Sequence, residues 1–245
     1  MAFAGRPVES DRSPAAWLPA ALAPGATVAS LVPPVFPAYA RVFHPAVRYV
    51  GDDDVEVSWA EVAAANGTTA HPLMQWGSVT GSLEYFENDD QAPLWHGAPA
   101  RGHLPVTVAE RLVAVLRRHT ATPGDCWFGV AADLGNPTAS APTLDLPRGG
   151  FWLLRGPVDL ATANLADEPA EQSAGLWWPA DRSWVVATDV DLVSSYVAGG
   201  VACITAILAA DGLEAAPAEP GHRVTGDADR VNPPPSEALD VPGHG

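Results

Sequence analysis

Lysine is missing altogether: the 13 basic residues of this 245-residue chain are all arginine, set against 29 acids for a formal charge of −16. So negative a balance repels phosphate backbones unless positive charge is tightly localised, which removes nucleic acid from the expected partners. Charged residues make up only 17%, too few for a coiled coil or a polyelectrolyte. Long apolar runs are lacking too. The most apolar stretch, 197–210, is interrupted by Gly199, Gly200 and Thr205 and falls short of the ~20 residues that cross a bilayer, so no membrane association is expected. The opening residues carry no basic segment followed by an apolar run, which argues against a secretory signal and for a cytoplasmic protein. Cysteine is limited to Cys126 and Cys203; in that compartment two thiols read as small buried hydrophobes rather than as a disulfide.

What the chain does have is proline, 25 in all, and 47% hydrophobic residues. Seven prolines fall within residues 1–37, and because proline cannot donate to a helix or sheet ladder this stretch reads as an irregular arm. Residues 215–245 hold another cluster of prolines, several acids and few large apolar side chains, the composition of a disordered tail. One domain, residues 38–214, is left between them.

Two capping boxes mark helix starts within it: Ser58 with Glu61, and Thr107 with Glu110, each pairing a hydroxyl cap with a glutamate three residues on. They predict helices over 59–65, stopped by Asn66-Gly67, and over 108–119, where Val108, Leu112, Val115 and Leu116 recur at helical spacing. A third helix is predicted after Gly199-Gly200, with Val201, Ile204, Ile207 and Leu208 on one face. Segments 39–43, 126–130, 151–154 and 184–188 are aromatic or β-branched and bounded by glycine, proline, aspartate or histidine, which predicts strands. Leu176 to Trp184 reads as a hairpin turning on Pro179-Ala180-Asp181-Arg182. The fold class expected is α+β: a mainly antiparallel sheet with a tryptophan-rich hairpin, covered by a few helices. The acidic run Asp52-Asp53-Asp54 reads as a solvated loop.

The string Trp177 to Asp191, with Ser195 to Gly200, Tyr39 to Pro45 and His119 to Trp127, resembles a family of hypothetical proteins from high-GC, actinobacterial-type bacteria. The resemblance covers most of residues 38–214, implies no particular activity and carries over no catalytic residue. After Trp127, the segment Val130 to Gly135 departs from that family's pattern.

Candidate chemistry is sparse. The sequence has no His-Glu-x-x-His, Cys-x-x-Cys, P-loop or Gly-x-Ser-x-Gly pattern, so the motifs that announce zinc, nucleotide or serine chemistry are lacking. Gly199-Gly200 before a helix is a weak anion turn. Two constellations remain. In the hairpin, Trp177, Trp178, Asp181, Arg182 and Trp184 offer an aromatic and acidic face for a partner or ligand. Successive strand residues face opposite ways, so one of Trp177 and Trp178 points away from the main core, either into solvent or under a further layer. Arg182 stacks on an indole to meet a ligand or serves an internal contact. Past the hairpin, Asp189 and Asp191 stand two apart on a strand end and would, with His44 or Asp181, ligate a divalent cation, or else simply shape the turn. The leading expectation is a non-enzymatic, protein-binding adaptor, regulatory or immunity-like protein that meets a basic partner and needs no cofactor. The alternative is a metal-assisted hydrolase built on Asp189, Asp191 and His44.

Overall fold

A computed structural model describes residues 2–3, 6–82, 91–132, 142–166 and 170–235. The fold is α+β. In chain order the strands are β1 (Ala2–Phe3), β2 (Arg6–Pro7), β3 (Ala38–Phe43), β4 (Ala46–Val50), β5 (Asp53–Val57), β6 (Cys126–Ala131), β7 (Leu144–Leu146), β8 (Gly149–Gly156), β9 (Leu176–Pro179), β10 (Trp184–Thr188), β11 (Ser194–Gly199) and β12 (Ala215–Ala218). The α-helices are α1 (Leu18–Ala21), α2 (Trp59–Asn66), α3 (Trp76–Thr80), α4 (Val106–Leu116) and α5 (Val201–Leu208). Instead of one domain, the chain forms two compact units: residues 1–44 with 100–222, and residues 45–99 with 223–245.

The larger unit is built on an eight-stranded sheet in the order β12-β3-β11-β10-β9-β6-β8-β7, antiparallel at every pairing. One face packs under α4 and α5. Val108, Leu112, Val115 and Leu116 of α4 and Cys203, Ile204 and Ile207 of α5 share a core with Phe128, Trp152, Trp177, Trp184 and Val186, the helical 3–4 spacing meeting the strand spacing of two. The opposite face is covered by the proline-rich arm, whose Ala15, Leu18, Val28, Leu31 and Val32 are buried. Proline limits this arm to short elements, β1, β2 and the four-residue α1, without keeping it from packing. With both faces covered, strands β9, β10 and β11 are buried along their full length, as doubly covered strands are.

Three expectations are corrected here. The chain beyond 214 is ordered through Pro235: β12 pairs with β3 as an outer strand of the sheet, and Val28 and Ala29 donate their amides to the carbonyls of His222 and Pro220. Pro217 is tolerated in β12 because an outer strand has one side free of ladder bonds. Helix α4 begins at Val106 after Pro105, with no side-chain cap; Thr107 lies inside the first turn, since the Pro105 carbonyl already accepts from Ala109. Residues 52–54 are solvated as expected, but only Asp52 is in a loop: Gly51-Asp52 is the turn of a two-stranded hairpin, Gly51 supplying φ +67°, and Asp53 and Asp54 are strand residues facing Val50 and Tyr49.

In the smaller unit, Ser58 caps α2 by accepting from the Glu61 amide at 3.1 Å, and Gly67 ends it at φ +67°. Trp59, Trp76 and Trp95 form its aromatic core, with successive ring centroids 5.3 and 5.1 Å apart. Asp229 ties the later segment in, accepting from His71 at 2.9 Å and from the backbone amides of Gln75, Val231 and Asn232.

Candidate functional site

The tryptophan-rich hairpin forms as the sequence predicts, and its indoles turn inward. Trp177, Trp178 and Trp184 are all fully buried. Trp177 stacks on Phe128 of the facing strand, centroids 6.1 Å apart, and meets Trp184 edge-on at 5.2 Å. The Trp184 indole N–H donates to the Leu116 carbonyl at the end of α4, 3.1 Å away. Trp178 does face the other side of the sheet, where Trp17 of the arm closes over it in a T-shaped contact at 6.5 Å. The expected aromatic surface is therefore absent from this hairpin: an indole buries so much apolar area that the chain's own arm has covered it.

Its polar residues are occupied in the same way. Arg182 lies over the Trp17 ring, 5.2 Å from the centroid, at φ +56°, a left-handed conformation that costs a non-glycine residue energy. Asp181 accepts from the Thr120 hydroxyl at 2.8 Å, the Ala121 amide at 2.7 Å and the Ser183 amide at 3.1 Å. Partial burial pushes its pKa up, but these hydrogen bonds outweigh it and hold the carboxyl below its ordinary value. Asp181 thus fastens the β9–β10 turn to the segment after α4.

Asp189, Asp191 and His44 do not assemble into a metal centre. Asp189 forms a two-pronged ion pair with Arg148, 2.5 Å to Nε and 2.9 Å to Nη2. It also accepts the Asp191 amide at 3.0 Å, the use of aspartate as a turn former. Exposed Asp191 pairs with Arg101 at 3.4 Å. His44 is fully buried and spends its ring nitrogens on the Ala100 carbonyl (2.7 Å) and the Ser195 hydroxyl (2.9 Å). Among the described residues no group of three or more His, Cys, Asp or Glu side chains is placed to hold an ion. The two cysteines are buried and unpaired, and burial pushes the Cys126 thiol up to about 12 and the Cys203 thiol to about 11, so neither is a nucleophile near neutrality. An open groove of about 520 Å³ beside α4 is lined by Glu110, Val113, Arg117, Arg118, Asp159 and Thr162. Its Arg117 is paired with Asp159, and nothing there orders a nucleophile against a base.

Exposed apolar side chains occur elsewhere. At the tip of the β4–β5 hairpin Tyr49, Val50 and Val55 are 49%, 52% and 36% exposed, beside exposed Asp52, Asp53 and Asp54. Opposed residues share a face, so Val50 and Val55 lie on one side with Asp53, and Tyr49 on the other with Asp54. The Tyr49 ring stacks on His96 with centroids 5.2 Å apart, and the Tyr49 amide donates to the His96 Nδ1 at 3.1 Å, which orients the imidazole beneath the phenol. A sequence signal for this hairpin existed: Gly51-Asp52 between two stretches rich in valine is a two-residue turn pattern.

Among the described residues, no helix is long and apolar enough to cross a membrane. Comparisons of the chain with protein families, curated proteins and solved structures found no match.

Proposed function

We propose that this protein acts by recognition rather than catalysis, as an adaptor, regulatory or immunity-like protein that binds a basic protein partner through the tip of the β4–β5 hairpin. The observation that carries the reading is the exposure of Tyr49, Val50 and Val55 directly beside Asp52, Asp53 and Asp54. Val50 and Val55 share one face of the tip with Asp53, and Tyr49 shares the other with Asp54, so each face sets exposed apolar surface, which adds nothing to the core, beside a carboxylate. A tyrosine already fixed by stacking loses little freedom on binding, which suits it to be the anchor. Carboxylates around an apolar centre favour arginine- or lysine-bearing partners and speed their approach, an effect that the charge of −16 extends over the whole molecule.

The test is a photo-crosslinking amino acid placed at position 50 in the cells that make the protein, with position 201 as the control, since Val201 on α5 is no less exposed than Val50. The expected result is an adduct with a basic protein from position 50 alone. Its affinity should fall at least tenfold on Tyr49→Ala, as loss of an anchor residue does, and should weaken with salt. Identical adducts from both positions, or an adduct indifferent to Tyr49→Ala and to Asp53→Asn/Asp54→Asn, would overturn the proposal.

A further inference from the structure

His44 stands at a joint in the chain. It ends the first segment of the larger unit, Ala100 begins the second, and residues 45–99 leave and return between them. The His44 ring joins these two points directly, its Nδ1 lying 2.7 Å from the Ala100 carbonyl. A carbonyl only accepts, so Nδ1 carries the hydrogen and Nε2 is left to accept from the Ser195 hydroxyl at 2.9 Å. With its own hydrogen committed to His44, the Ser195 oxygen accepts from Thr188 at 2.5 Å. All three side chains are buried, so the direction of the whole chain of bonds is set by the neutral imidazole.

The returning chain is seated just beyond. Gly102 donates its amide to the Leu192 carbonyl at 3.0 Å, and Arg101 meets Asp191. Gly102 has φ +81°, and a Cβ there would lie 2.8 Å from the Val190 carbonyl oxygen, so only glycine permits this approach. The turn that receives it is braced by the Asp189–Arg148 pair.

We propose that His44 is an acid-operated clasp on this joint: as a fully buried neutral imidazole it ties the end of β3 to the returning chain, and its proton is taken up by a form in which residues 100–102 have opened and the ring reaches water. A proton on Nε2 turns an acceptor into a donor. Ser195 must then turn its hydrogen toward Thr188, and Thr188 must withdraw its own. The new charge would sit out of reach of water, near the Arg41 guanidinium on its own strand and the His103 ring on the returning chain. The carboxylates of the surrounding loops are engaged elsewhere: Asp189 with Arg148, Asp191 with Arg101 and Glu171 with His103. Burial first, then His103 and Arg41, lower the ring pKa to about 4 against the partial support of the Ala100 bond. The open form titrates at the ordinary value, so opening is favoured progressively below pH 6.5.

The measurement is amide exchange at Gly102 in the full chain, corrected for the intrinsic effect of pH, together with long-range proton–nitrogen spectra of the His44 ring. Between pH 7 and pH 5 the opening equilibrium should rise on the order of 20-fold by linkage. The spectra should show the Nδ1–H form without titration in that interval. His44→Asn, which keeps a donor for Ala100 and cannot titrate, should abolish the rise, while Asp191→Asn should leave it in place. A ring that titrates near 6.5, an Nε2–H form, a rise that survives His44→Asn or one that vanishes in Asp191→Asn would overturn the clasp. Should His44→Asn fail to fold, the wild-type ring spectra and the pH course of Gly102 decide alone.

Discussion

Replacing Trp178 with alanine separates a core residue from a surface anchor. Trp178 is fully buried, held between its own sheet and Trp17 of the arm. Truncation leaves a cavity the size of an indole beneath a segment tied down by Leu18, Val28 and Val32, so collapse is incomplete and a loss of about 3–5 kcal/mol is expected. In a protein of this length each kcal/mol moves Tm by roughly 2–4 °C, which places the variant on the order of 10 °C lower. Urea unfolding followed by far-ultraviolet circular dichroism avoids reading the loss of the fluorophore as a loss of structure. The same experiment on Trp17→Ala and on the double variant isolates the edge-on contact, for which a coupling of about 0.5–1.5 kcal/mol is expected. A Trp178→Ala midpoint within about 0.5 kcal/mol of wild type is what a surface tryptophan would give. That result would refute the burial argument and return the hairpin to the list of binding surfaces.

At Arg182 two small effects oppose each other. Glycine relieves the φ +56° backbone by about 1 kcal/mol and forfeits a cation–π contact of about the same size, so Arg182→Gly should be close to neutral in urea unfolding and Arg182→Ala measurably worse. Stability should fall with acid on account of His44. Its folded pKa, about 4, lies below the ordinary 6.5, so the unfolded chain binds the proton first, and the contribution present above pH 6.5 is lost as pH falls toward 4. About 2 kcal/mol should be gone at pH 5, and denaturation midpoints taken at pH 7, 6 and 5 in wild type and His44→Asn would measure it. Both thiols should resist a disulfide reagent in the native protein at pH 8 and react fully in urea; rapid native labelling of Cys126 would contradict its burial.

The legible part of the fold was what local chemistry writes. Helix α2 shows its cap, its stop and its apolar face within ten residues, and β10 spans the five residues read from its β-branched run. The direction of the tryptophans was only half legible. Alternation places Trp177 and Trp178 on opposite faces, but whether the second face meets water depends on the arm, whose covering role rests on pairings some 160 residues apart. The same holds for Asp189 and Asp191, whose spacing suits a cation as well as it suits a turn until Arg148 and Arg101 arrive from distant segments. The end of the chain misled for another reason: a disordered tail and an ordered segment held by the side-chain hydrogen bonds of Asp229 and Asn232 have the same proline-rich, acidic composition.

The order of strands in the sheet carries a consequence for biosynthesis. Strand β3 lies between β11 and β12, and Val42 faces Ser195 and Ala215. A ribosome adding about 5–20 residues per second therefore releases β3 on the order of ten seconds or more before either neighbour exists. The smaller unit waits as well, since Thr69 and His71 bond to Asn232 and Asp229. Neither unit can close before those later segments are made, and Ala38 to Phe43 must pass that interval as an apolar segment with both edges open. Arg41 in its middle, with Pro37 before it and Pro45 just after, is the kind of interruption that keeps such a segment from pairing with another nascent chain.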